Sequence, residues 1–144
     1  MEKLIPFTVH DLARITNFRS GEVKFGEKML TIPKDADPVA FLKESEAKFV
    51  LFGIPEDIGV RANYGRPGAA SAWESAIKSI ANIQHNRFNK GSQILILGHL
   101  DVAEEMKSVE NLDFNIMEER QELSKAVEKV DKEVSHIIFT IVKA

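Results

Sequence analysis

Apolar residues along the chain change from a continuous run to helical spacing and back to a continuous run. Residues 48–54 and 93–98 are nearly all apolar, as in strands that are buried on both faces of a parallel sheet. Between these runs the apolar residues recur at helical spacing, at Ala69, Ala72, Trp73, Ala76, Ile77, Ile80 and Ala81. Strand, helix and strand in this order predict a βαβ unit with parallel strands, in which Trp73 belongs to the core.

Two shorter elements are predicted before this unit. Asp37 followed by Pro38 is a typical helix start, with aspartate as the N-cap and proline at the first helical position, and the helix is expected to continue over residues 39–47. Earlier in the chain, residues 23–25 and 29–32 have the pattern of a hairpin.

A long amphipathic helix is predicted at the other end of the chain, over residues 118–142. Its apolar positions alternate spacings of four and three, at Leu123, Val127, Val130, Val134, Ile137 and Ile141. The acidic stretch before it, residues 101–115, is expected to form a loop with a short helix. Residues 93–98 end in glycine, so the following His99 is expected to lie in a loop.

The fold class predicted from these elements is α/β. Residues 1–47 are interpreted as an N-terminal extension with a short helix, and residues 48–144 as a βαβα unit. Both strands have the composition of central strands, so the sheet edges and the apolar stripe of the last helix are expected to lack partners. This pattern indicates the front part of a larger protein, and it predicts that the isolated chain associates with itself, as a possible homo-oligomer.

Composition excludes several classes of function. The 144 residues carry a net charge of -3, which is too small to indicate a nucleic-acid or membrane partner. No apolar run approaches the roughly 18 residues that span a bilayer, and the first residues lack a signal-peptide core, which together favour a cytoplasmic location. Because the chain contains no cysteine, histidine and carboxylates are the expected ligands of any metal.

The segment between the first strand and the helix, residues 53–69, has the composition of a binding loop. It contains two arginines, an asparagine, a tyrosine and four glycines. Open α/β sheets bind ligands where such loops leave the strands. Arg61 or Arg66 can form a two-point hydrogen-bonded contact with a carboxylate there. Gly65 and Gly68 would let the backbone approach an anion at the helix N-terminus.

A structural interpretation of this loop is equally compatible with its residues. The glycines then serve only the turn, and the arginines stabilise the loop or pair with Glu56 and Asp57. The loop matches neither the G-x-G-x-x-G pattern of dinucleotide-binding proteins nor a P-loop, which argues against dinucleotide or nucleoside triphosphate binding.

The same segment resembles the arginase, or ureohydrolase, superfamily. Residues 49–73, FVLFGIPEDIGVRANYGRPGAASAW, are similar to the first strand, loop and helix of that superfamily. The run GVRANYGRPGA, followed by a helix and by ILGHLDV, is most similar to its formimidoylglutamase-like branch, and the resemblance extends over residues 48–142. It implies an α/β/α sandwich with a mainly parallel sheet. It also implies a parent enzyme that hydrolyses linear amidines, with formiminoglutamate from histidine catabolism as the leading substrate and arginine or agmatine behind it.

The family holds a pair of manganese ions (Mn2+) with ligands from three later motifs, of the types Gly-Gly-Gly-His-Asn, Asp-Ala-His-x-Asp and Ser-x-Asp-x-Asp. None of the three is present in the 144 residues. The resemblance therefore implies that this chain supplies neither catalytic residues nor metal ligands and is inactive alone. It places Arg61, Asn63 and Arg66 at the entrance of the substrate site of the parent enzyme.

His99-Leu100-Asp101 superficially resembles the second of these motifs. Leu97 and Gly98 stand where the motif has aspartate and alanine, so we interpret His99 as a loop histidine and Asp101 as a helix cap rather than as metal ligands.

Two other classes of function are left open by the sequence. One is an autonomous α/β module that holds a small carboxylate or phosphate at residues 65–69. The other is a protein interaction domain that uses the apolar face of the last helix.

Overall fold

The chain folds into a mixed four-stranded sheet with helices on both faces, seen in a computed structural model that describes residues 2–143. The strands are β1 (Leu4–Pro6), β2 (Leu30–Thr31), β3 (Phe49–Gly53) and β4 (Ile94–Leu100). The helices are α1 (Val9–Ile15), α2 (Pro38–Glu44), α3 (Ile58–Ala62), α4 (Ala72–Ala81), α5 (Ala103–Ser108) and α6 (Met117–Val142). Short 3-10 turns occur at Phe25–Glu27, Ala69–Ser71 and Gly91–Gln93.

Strand β4 is the centre of the sheet. Along one side it pairs in parallel with β3, from Ile94 opposite Phe49 to His99 opposite Gly53. Along the other side it pairs in parallel with β2 and antiparallel with β1. The predicted unit of two adjacent parallel strands joined by a helix is confirmed, and the α/β class with it. The sheet is mixed because β1 enters in the opposite direction.

Alternating side chains of β4 build a core layer on each face of the sheet. Leu95 and Leu97 are fully buried in the layer that contains α3 and α6. Ile96 points the other way, into the layer that contains α1 and α4, where Trp73 also packs as predicted. Helices therefore cover both faces of β4, which gives three layers.

Strand β3 differs from the prediction that it is buried on both faces. Its first residues are exposed, Phe49 by 61% and Val50 by 39%, and only Gly53 at its other end is buried. Within residues 2–143, β3 pairs with β4 alone, so it forms an edge of the sheet. Its apolar sequence is that of a central strand, but burial also requires a neighbour on the second side.

Residues before the βαβ unit contribute to the same sheet and core. They form β1 and β2, and Leu12 is buried against α4 together with Phe25 and Met29. The predicted hairpin over residues 23–32 is wrong, because residues 25–27 form a 3-10 turn and β2 pairs with β4. Burial of Phe25 and Met29 outweighs the weak local pairing that a short hairpin would provide.

The predicted helix start at Asp37 is confirmed. The side chain of Asp37 accepts a hydrogen bond from the backbone N–H of Ala40 at 2.7 Å, and Pro38 occupies the first turn. This helix, α2, ends at Glu44, three residues before the predicted end. The short helix predicted within residues 101–115 is present as α5.

The long helix α6 is confirmed, but its apolar stripe is covered. Leu123, Val130 and Ile137 are at most 5% exposed and belong to the core with α3 and β4. The expectation that this stripe lacks a partner is therefore wrong. Apolar exposure lies instead at the end of the helix, at Phe139 (61%) and Val142 (76%). No helix within residues 2–143 has the length and apolar character to cross a membrane.

Helix α1 begins with a reciprocal cap between Thr8 and Asp11. The hydroxyl and the backbone N–H of Thr8 donate to the carboxylate of Asp11 at 2.6 and 3.0 Å, and the Asp11 N–H donates back to the Thr8 hydroxyl oxygen at 3.2 Å. The bond from the Thr8 hydroxyl, helped by the Thr8 N–H and by Arg14 and opposed by partial burial, lowers the pKa of Asp11 below its usual 3.8.

We expect Asp11→Asn to reduce the free energy of unfolding by about 1 kcal/mol at about pH 7. Because the pKa is lower in the folded state, the carboxylate stabilises the protein above its unfolded pKa, and this contribution is lost as the pH falls through the folded pKa. The difference between wild type and Asp11→Asn should therefore shrink below about pH 4 in urea titrations. Asp35→Asn, at an exposed position, is the control, and a pH-independent difference for Asp11→Asn would contradict the role of the ionised cap.

Candidate functional site

The predicted binding loop contains a helix of its own, α3. Glu56 accepts a hydrogen bond from the Gly59 N–H at 2.9 Å at its start, and the Gly65 N–H donates to the Val60 carbonyl oxygen at 2.7 Å at its end. A Cβ on Gly65 would overlap the side chain of Val60. Gly65 therefore serves the turn, as the structural interpretation of the loop expects.

Arg61 lies on α3 and is 8% exposed. Its Nη2 donates to the carbonyl oxygens of Val109 and Leu112, both at 2.8 Å, so both hydrogens of this nitrogen are used. A guanidinium can contact a carboxylate at two points in two ways, through Nη1 and Nη2 or through Nε and Nη2. Both ways require a free hydrogen on Nη2. Arg61 thus ties α3 to the end of α5, and it can offer a ligand only single hydrogen bonds from its other nitrogens.

In contrast to Arg61, both Arg66 and Asn63 are exposed. The side-chain amide of Asn63 donates to the Gly59 carbonyl oxygen at 2.9 Å, which caps the end of α3. In the part of the chain that the structure describes, the guanidinium of Arg66 makes no ion pair or side-chain hydrogen bond. A two-point contact with a carboxylate is therefore available to Arg66.

A cavity of about 740 Å³, the Arg61 cavity, lies beside α3. Its wall combines the loop with α5 and the segment after it, at Asp57, Arg61, Pro67, Met106, Lys107, Glu110, Asn111, Leu112, Asp113 and Phe114. The volume is in the range that holds small molecules. Asn63 and Arg66 are not part of this wall, so the structure does not gather the three predicted residues in one cavity.

The charges on this wall are mixed, with three carboxylates and two cations. Hydrogen bonds from the backbone N–H and then the side-chain amide of Asn115 lower the pKa of Asp113, which keeps it ionised. The buried Asp57 accepts a hydrogen bond from the Gly68 N–H at 2.8 Å. This carboxylate therefore occupies one of the backbone donors within residues 65–69, the Gly68 N–H. Neither Asp57 nor Glu56 forms an ion pair with Arg61 or Arg66 within residues 2–143.

His99 lies within β4 rather than in a loop. The strand continues to Leu100 because β1 pairs with residues 98–100, and a glycine at position 98 does not end it. Asp101 accepts a hydrogen bond from the Ala103 N–H at 3.1 Å, but the N-cap of α5 is Val102, so Asp101 lies one residue before the cap position that was predicted for it.

The manganese pair that the resemblance implies would require several closely placed carboxylate and histidine ligands. Among residues 2–143, no three His, Asp or Glu side chains come together as a group able to hold a metal ion. His99 and Asp101 alone are too few for a two-metal site.

The residues of the Arg61 cavity that sequence reasoning missed come from the acidic segment after β4. Met106, Leu112 and Phe114 were expected in a loop with a short helix. The one sequence feature that could have indicated their place in a cavity wall is that they are apolar residues in an acidic segment. Tyr64, also in the loop, adopts a left-handed φ of 60° and packs edge-on against Phe114 with Arg120 over its ring.

Comparisons of the chain with protein-family models, with curated proteins and with solved structures give no match.

Proposed function

We propose that this chain is the N-terminal portion of a manganese-dependent hydrolase of linear amidines, with formiminoglutamate as the leading substrate. The observation that carries the proposal is the segment over residues 49–73, whose sequence resembles the first strand, loop and helix of the arginase superfamily. In the fold it forms β3, the α3 loop and the start of α4, beside the parallel strand β4.

The position of the loop supports a role in substrate binding. It leaves the carboxyl end of β3, which is the side on which parallel sheets bind ligands. The side chain of Arg66 is exposed there, and formiminoglutamate carries carboxylates that a guanidinium can hold at two points. Because arginine does not release its proton near neutral pH, Arg66 would position the substrate rather than transfer protons.

The open edge of β3 also supports the proposal. Phe49 and Val50 present apolar side chains beside unpaired backbone groups, a surface on which another strand can be added. In the proposed parent enzyme the metal ligands come from sequence motifs that these 144 residues do not contain. A reading frame that continues past residue 144 into a Gly-Gly-Gly-His-Asn motif would support the proposal, and a stop codon at that point would oppose it.

We expect Arg66→Ala in the complete protein to raise KM for formiminoglutamate about tenfold with a smaller change in kcat, because lost uniform binding affects mainly KM. Steady-state kinetics should show the same direction for Arg66→Lys, since lysine keeps the charge but loses the two-point contact. Arg87→Ala, which removes an arginine stacked on Phe88 outside this loop, is the control. Unchanged kinetics in Arg66→Ala and in Asn63→Ala would exclude both residues from the substrate site.

A further inference from the structure

The free edge of β3 carries none of the features that usually prevent an edge strand from pairing. Residues 49–53 contain no charged residue and no proline. The register between β3 and β4 shifts beside Leu51, but the extra residue is Leu97 of β4, so β3 itself stays regular. On the far side of the sheet, β1 and β2 are three and two residues long. Within residues 2–143, β3 is therefore the longest strand with a free edge.

The backbone groups at this edge form a set that is symmetric about Leu51. The Lys48 N–H donates to the Gln93 carbonyl oxygen at 2.8 Å, in the direction of β4. In a parallel ladder the N–H and C=O groups of one residue point to the same side, and those of the next residue point to the other side. The groups of Phe49, Leu51 and Gly53 therefore point away from β4. Opposite residues of this kind in antiparallel strands exchange two hydrogen bonds.

A second copy of β3 matches this set when it runs antiparallel with Leu51 opposite Leu51. Phe49 of each copy then lies opposite Gly53 of the other, and all three outward residues are hydrogen-bonded. This arrangement has a two-fold axis, the symmetry of most dimers of identical chains. A pair centred on Phe52 would instead place Pro55, which has no N–H, opposite Phe49. The register centred on Leu51 therefore uses the edge most completely.

The side chains that meet in this register are apolar and complementary in size. Phe49 is 61% exposed and lies on the same face of β3 as Gly53, because alternate residues of a strand share a face. On that face Trp73 packs on Gly53, where any Cβ would overlap the indole. Phe49 of the second copy would therefore cover Gly53 and pack against Trp73. On the other face, Val50 would lie opposite Phe52.

The charges beside the strand favour the antiparallel direction. Lys48 precedes β3, whereas the apolar Ile54 follows it. In the antiparallel pair the two Lys48 side chains lie at opposite ends, roughly 20 Å apart, where solvent ions screen their repulsion. A parallel pair would place them side by side, and like charges in direct contact are destabilising. An antiparallel copy therefore fits this edge better than a parallel one.

We propose that this chain forms a two-fold symmetric dimer in which the β3 strands pair antiparallel with Leu51 at the centre. Each copy uses its β3 edge once, so association stops at two copies. The dimer is independent of the proposed function, since it uses none of the residues assigned to the substrate. It concerns the 144-residue chain by itself, because a strand of the complete protein would occupy the same edge.

Sedimentation velocity over a concentration series tests the dimer, and it should show a monomer–dimer equilibrium. The fluorescence of Trp73, the only tryptophan of the 144 residues, should change over the same concentrations. Phe49→Lys should weaken dimerisation at least about tenfold, because each dimer contains the substitution twice and would bury both charges. Phe88→Lys is the matched control, since it replaces a phenylalanine that is 78% exposed outside β3, and it should leave the dimer unchanged.

Phe49→Pro is a second variant that leaves the fold of the single chain intact. Because the N–H of residue 49 points away from β4, proline removes a hydrogen bond of the dimer and none of the sheet, so dimerisation should again weaken. A chain that stays monomeric at every concentration would overturn the proposal and leave the edge to a strand of another protein. Dimerisation that neither Phe49 variant weakens would place the interface elsewhere. A dimer without a change in Trp73 fluorescence would contradict the proposed register.

Discussion

Gly98→Ala should destabilise the protein by more than about 4 kcal/mol or prevent folding. Gly98 lies in the central strand β4 with a φ of 133°, a conformation that residues with a side chain rarely adopt. A Cβ at this position would also overlap the carbonyl oxygen of Ile5, which belongs to the neighbouring strand β1. The substitution would therefore force β1 away from β4. Urea unfolding followed by circular dichroism measures the effect.

Gly68→Ala is the matched control for this substitution. Gly68 has a similar φ of 126°, but no atom lies within 4 Å of the position that a Cβ would take. Its cost should be limited to backbone strain, about 1–3 kcal/mol. Equal destabilisation by the two substitutions would contradict the close approach of the Ile5 carbonyl oxygen in β1 to Gly98.

Arg61→Ala should reduce the free energy of unfolding by about 2–4 kcal/mol. The substitution leaves the carbonyl oxygens of Val109 and Leu112 without the donor that lies 2.8 Å from each of them. It also removes the packing of a side chain that is 8% exposed. Arg61→Lys should recover only part of the loss, because an ammonium group does not reproduce the planar geometry of the guanidinium.

Arg66→Ala provides the comparison for Arg61→Ala. Arg66 is exposed, so its replacement should change stability by no more than about 0.5 kcal/mol. Chemical denaturation of the two variants side by side measures the difference. If Arg61→Ala were as stable as Arg66→Ala, the hydrogen bonds from Arg61 to the end of α5 would not contribute to the fold.

The elements with the strongest sequence patterns were predicted well. Strand β4, helix α4 and helix α6 have periodicities that depend only on their own residues, and the structure confirms all three. The cap at Asp37 was predicted for the same reason, since a capping side chain and a proline act within one turn.

Features that depend on distant residues could not be predicted in this way. The apolar composition of β3 does not reveal that β3 lies at an edge, because its burial depends on whether a second strand lies beside it. β2 pairs with a strand more than 60 positions away, which local turn chemistry does not indicate. The glycine at position 98 was interpreted as the end of a strand. Pairing with β1 continues β4 beyond it to Leu100.

The candidate site shows the same division. Strand, loop and helix around Arg61 were predicted from the sequence, but not the direction of its guanidinium. That direction is set by the carbonyl groups of residues 109 and 112, which lie 48 and 51 positions later in the chain. The roles of Arg61, Asn63 and Arg66 in substrate binding stay predictions.

The most direct measurement of the proposed function is the release of glutamate from formiminoglutamate by the protein made from the complete reading frame. Addition of water to the amidine carbon and cleavage of its bond to the nitrogen of the glutamate part would release glutamate and formamide. We predict release that depends on added manganese for the complete protein, and none for residues 1–144 alone. Failure of the complete protein with manganese to hydrolyse formiminoglutamate, arginine or agmatine would contradict the proposal, as would release by residues 1–144 alone.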